Sequence, residues 1–69
     1  MTEMIKIRML AMIDREIEDV EDNIRNNEVW KHGSSTKEES EMFDDNITDL
    51  EVYKEMLLEM RNKVEEGAI

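Results

Sequence analysis

The chain has no cysteine and no proline, two glycines, one histidine and three aromatic residues in 69 positions. Each scarcity excludes something. Without cysteine there is no disulfide and no thiolate metal site. Without proline nothing interrupts a helix from within. With glycine only at Gly33 and Gly67, backbone breaks are confined to two places. A lone histidine cannot supply the repeated Glu-x-x-His pairs of di-metal bundles. No Ser/His/Asp set and no phosphate-cradling glycine loop is present, so catalysis is not expected. Neither a metal nor a cofactor is expected.

Cations are also scarce: 9 Lys and Arg against 19 Asp and Glu, a net charge of −10. Phosphate binding needs the opposite balance, so direct nucleic-acid binding is not expected. A basic protein surface, or mimicry of a polyanion before a basic partner, fits the sign. Long apolar runs are missing as well. Met9 to Ile13 is the longest, far short of the roughly 20 residues that cross a bilayer. Lys6 and Arg8 ahead of that run faintly imitate a secretory signal, but it leads straight into Asp14-Arg15-Glu16 with no small-residue cleavage site. A cytoplasmic protein without a membrane partner is expected, and Asn46-Ile47-Thr48 then matches a glycosylation acceptor only by coincidence.

What is present is periodicity. Thr2 can cap a first helix over about 3–32, ended by Gly33 in a left-handed conformation, with Lys31 and His32 suiting the dipole of the last turn. Thr36-Lys37-Glu38-Glu39 reads as a capping box. It opens a second helix over about 37–66, which Gly67 ends, leaving Ile69 to fold back as an apolar lid. Two equal helices and a turn at about 33–36 predict one all-α domain, an antiparallel two-helix hairpin with coiled-coil-like packing.

Leu10, Ile13, Ile17, Val20 and Ile24 follow the 3-4 spacing of a coiled-coil seam, and Phe43, Ile47, Leu50, Leu57 and Val64 give the second helix a similar one. Laid antiparallel, Ile24 is expected to face Phe43, Val20 Ile47, Ile17 Leu50, Leu10 Leu57, and Ile7 Met60. Ile13 against Lys54 is the one break, relieved by snorkelling of Lys54 or by rotation of Tyr53 into the gap. Met4, Ile5, Met9, Met12, Val52, Met56 and Leu58 are left over, all in the half away from the turn. So many unsatisfied apolar residues predict an interface. The expectation is a homodimer forming a four-helix bundle, with the turn end projecting into water.

Glu38, Glu39, Glu41, Asp44 and Asp45 crowd the start of the second helix, where acids match the helix dipole. Asp14, Glu18, Glu21 and Asp22 line one side of the first helix. Glu51, Glu55 and Glu59 recur one turn apart on the second. Like charges at that spacing cost a few tenths of a kcal/mol per pair, so this run points to electrostatic capture of a basic surface. Trp30 and His32, with Glu41, Asp44 and Asp45 across the turn, are candidate contacts at the tip. Trp belongs to the residue types most enriched at interface hot spots.

Ser40-Glu41-Met42-Phe43-Asp44 loosely resembles the Ser-Gln-Glu-Leu-Asp motif of the small aspartyl-phosphate phosphatases of sporulation control. Ser40 and Asp44 match and Phe43 is apolar for apolar, while Met42 departs. The resemblance implies a helical hairpin whose Asp44 enters a response regulator's active site. The longer first helix and shorter turn depart from that family. Many Ile, Asn, Lys and Met residues with few Ala suggest an AT-rich bacterial or phage genome. A small acidic helical chain of that kind looks like the accessory inhibitors phages direct at host or defence proteins. The expected function is therefore a non-catalytic regulator that binds and inhibits another protein. Alternatives are the phosphatase-like regulator and a structural or assembly adaptor.

Overall fold

A computed structural model describes residues 2–67; the proposed lid residue Ile69 lies outside them. Two helices pack as a hairpin: α1, Glu3–His32, and α2, Lys37–Glu65. The hairpin is a rod, 51 × 15 × 9 Å, with a radius of gyration of 15.7 Å. A compact globule of this length would measure about 11 Å. No helix among the described residues is long and apolar enough to cross a membrane.

Local chemistry sets the helix ends. The Ile5 N–H donates to Thr2 Oγ1 at 3.3 Å, and the Glu39 N–H donates to Thr36 Oγ1 at 3.1 Å. The reciprocal half of the capping box is displaced by one residue: Glu39 Oε2 accepts from Ser35 N–H (3.1 Å) and Ser35 Oγ (3.3 Å). Gly67 has φ 73° and closes α2 as a left-handed residue, its N–H donating to the Val64 carbonyl at 3.1 Å.

Gly33 corrects the sequence expectation. Its φ is −88°, an ordinary conformation for any residue. The helix stops there because Ser34 Oγ donates to the Trp30 carbonyl at 3.1 Å and Ser34 N–H to the Lys31 carbonyl at 3.1 Å. A Cβ at Gly33 would meet only the Trp30 and Val29 carbonyl oxygens, at 3.7 and 3.8 Å. Gly33→Ala is therefore expected to raise stability by about 0.4–1 kcal/mol, through a less flexible unfolded chain. Urea denaturation checks this, and a drop of similar size would contradict it.

The core is thin: Ile13, Val20, Leu57 and Val64 are buried, flanked by half-buried Met9, Leu10, Ile17, Ile24 and Leu50. The register differs from the sequence expectation. Phe43 meets Trp30 rather than Ile24, with ring centroids 6.1 Å apart. Asn46 Nδ2 donates to Asn27 Oδ1 at 3.3 Å. Lys54 pairs with Glu21 at 3.2 Å and Arg61 with Asp14 at 2.6 Å. Relative to α1, α2 has slid by about one heptad, a shift that carries one 3-4 seam onto another without losing its apolar phase. Lys54 no longer opposes Ile13, which is buried. The expected end rung is lost instead: Ile7 is 58% and Met60 44% exposed.

Candidate functional site

Placed around each helix at 3.6 residues per turn, the side chains divide into three surfaces. One flank of the hairpin is bridged by ion pairs, Glu21 to Lys54 and Asp14 to Arg61, with Arg61 also engaging Glu65. The hydrogen bond from Arg61 to Asp14, together with the Asp14 and Glu65 charges, raises the guanidinium pKa, so Arg61 stays charged at any working pH. Solvent screens exposed pairs like these; they fix register more than they add stability.

The outer face of α2 is the second surface. Glu55 and Glu59 are exposed there and Glu51 at its edge with the ion-paired flank, each about 6 Å further along the axis than the last. None of the three forms an ion pair among the described residues, whereas Asp14, Asp22 and Glu21 on α1 all do. Of the two acidic runs noted in the sequence, that of α1 is largely neutralised within the molecule and that of α2 is not. An open depression beside the α2 stripe is lined by Ile24, Thr48, Glu51, Val52, Lys54 and Glu55.

The third surface is the turn end. Trp30 leans on Phe43 at 46° between ring planes yet stays 53% exposed. A shallow open depression there is lined by Val29, Trp30, Gly33, Ser34, Ser35, Glu39 and Phe43. His32 is exposed at the end of α1. Glu41 lies 3.8 Å from Lys37, Asp45 is exposed, and Asp44 accepts a cross-helix contact from Lys31 at 2.5 Å. Lys31 thus gives Asp44 a role in joining the helices, and the phosphatase-like reading gains nothing from that geometry. Glu41 and Asp44 share the side of α2 that carries Glu51, Glu55 and Glu59, about 10–15 Å nearer the turn, whereas Trp30 and His32 belong to α1.

The expected dimer residues are also divided. Met4 (64% exposed), Ile5 (46%), Met12 (65%), Val52 (56%), Met56 (60%) and Leu58 (36%) reach the surface, while Met9 partly packs on the core. Met4 and Val52 lie on outer faces, and Leu58 lies on the ion-paired flank. Sequence reasoning missed the Asn27–Asn46 contact, because a polar pair at the seam becomes visible only once the register is known. No group of three His, Asp or Glu side chains among the described residues could hold a metal ion. No protein family, no curated protein and no solved structure matches this chain.

Proposed function

We propose that this chain is a small acidic, non-catalytic regulator that inhibits another protein by occupying a basic surface with the outer face of α2. The observation that supports this is the Glu51, Glu55, Glu59 stripe, exposed and without cationic partners among the described residues. Maintaining like charges one turn apart lowers helix stability, and recognition of a cationic surface gives that arrangement a use. Trp30, His32, Glu41, Asp44 and Asp45 add contacts at the tip. A phage-type inhibitor of a host or defence protein is the setting that suits such a molecule.

Charge density narrows the partner. A net −10 over 51 Å is roughly one charge per 5 Å, against one per ~1.7 Å of axis for duplex DNA. That favours a basic patch on a protein over a groove shaped for a full duplex. The regulator works as a homodimer, two hairpins burying Ile5, Met9, Met12 and Met56 as a four-helix bundle.

Affinity capture identifies the partner, and titration of the purified pair then tests the reading. Reversing Glu51, Glu55 and Glu59 to Lys together is expected to weaken binding at least about tenfold at low salt. Helicity and oligomeric state should not change. Binding that is unaffected by this triple reversal and by salt would overturn the reading. Failure to capture any protein would favour a structural or adaptor role.

A further inference from the structure

The flank opposite the ion pairs is apolar along the half of the hairpin that holds the chain termini. Ile5, Met9 and Met12 follow i, i+4, i+7 on α1, and Tyr53, Met56 and Met60 follow i, i+3, i+7 on α2. In the observed register, where Glu21 meets Lys54 and Asp14 meets Arg61, the two rows follow one another along the flank, that of α1 nearer the termini, over about 25 Å. Ile5, Met12, Tyr53, Met56 and Met60 are 42–65% exposed there. The same flank carries Arg8 and Lys63 toward the termini and Glu16 and Asp19 toward the turn.

The exposed surface of the rod is of the size that a second copy would cover. A compact chain of 8.2 kDa exposes about 4,500 Å², and this hairpin exposes 5298 Å². The surplus of roughly 750 Å² is close to the ~800 Å² that each partner contributes to a standard interface. One further copy of the hairpin is enough to remove it.

Resting on the dimer proposed above, we infer that two copies dock methionine flank to methionine flank in a staggered antiparallel overlap, with their turns at opposite ends of a rod. Charge selects this arrangement. Side by side with the turns together, the basic end of each flank would lie over the basic end of the other, and acids over acids. Antiparallel, Arg8 and Lys63 of one copy approach the acidic part of the other, and the apolar rows still overlap. Four helices then surround Met9, Met12, Met56 and Met60, whose unbranched side chains fill irregular gaps well. The outer faces of both α2 helices stay uncovered, so the dimer presents two copies of the Glu51–Glu59 stripe.

The test uses the full chain, and the absence of native cysteine makes single-site labelling clean. Ser35 is exposed in the turn. A spin label at Ser35→Cys is expected to report an intermolecular distance of about 70 Å in the staggered dimer. Turns at the same end would place the two labels within about 25 Å, given helix spacings of 8–10 Å, and would overturn the arrangement. Sedimentation equilibrium supplies the second readout. The wild type is expected to be dimeric at micromolar concentration, and Met12→Glu to weaken dimerisation about 100-fold. Met4→Glu, on the outer face, should leave it unchanged. A monomeric wild type would overturn the dimer itself, whereas a short label distance in a true dimer overturns only the docking mode. Neither result depends on the acidic stripe having a partner.

Discussion

Leu57→Ala is expected to lower stability by about 2–5 kcal/mol, enough to leave much of the chain unfolded at room temperature. Leu57 is 6% exposed and is one of four buried apolar side chains among the described residues. So small a core has little reserve, and a chain of this length without disulfide or metal depends on every layer. Ile7→Ala, by contrast, should shift stability by no more than about 0.5 kcal/mol. Periodicity alone makes Leu57 and Ile7 equal members of the seam, while the fold leaves Ile7 58% exposed. Thermal and urea unfolding followed by circular dichroism compares the two at one fixed protein concentration, because dimerisation adds to apparent stability. Equal losses from the two substitutions would mean that the helices pair in the alternative register.

The second prediction has the opposite sign. Asn27 is 7% exposed, its Nδ2 donating to the Asn23 carbonyl at 2.7 Å while its Oδ1 accepts from Asn46. Replacing Asn27 and Asn46 together by Leu is expected to raise stability by about 1–3 kcal/mol, because an apolar pair replaces a polar one in a partly buried place. Specificity should fall at the same time. A polar residue in a coiled-coil seam fixes register at a cost in stability, and here the heptad-shifted pairing is the nearest competitor. The double variant is expected to show more than one set of amide resonances, with distances from a label at Ser35 spread over two populations. A lower unfolding midpoint with a single set of resonances would mean that the asparagine layer does not choose the register.

Some of this was legible before folding. Thr2 and Thr36 supply the helix starts and Gly67 a stop, through short-range chemistry that depends on a few neighbouring residues. The 3-4 spacing of Ile13, Ile17, Val20 and Ile24 likewise places one face of α1 inward whatever it packs against. The acidic row Glu51, Glu55, Glu59 follows from helical spacing alone. Gly33 differs from expectation because a glycine after a basic last turn suggests a left-handed cap, whereas Ser34 and Ser35 provide the carbonyl and amide contacts that make one unnecessary.

Capping residues and periodicity suffice for two helices, their lengths, an apolar seam on each and a strong negative charge. How far one helix slides along the other is set by contacts between them. A heptad repeat has the same apolar phase after every seven residues, so hydrophobic pattern alone cannot distinguish neighbouring registers. The decision falls to features that do not repeat: the Trp30–Phe43 contact, the Asn27–Asn46 pair, and the bridges from Lys31, Lys54 and Arg61 to Asp44, Glu21 and Asp14. That choice paired Asp14 and Glu21 of α1 with Arg61 and Lys54, left Glu51, Glu55 and Glu59 of α2 without ion pairs among the described residues, closed one flank of the hairpin with charge, and left Met12, Met56 and Met60 exposed on the other.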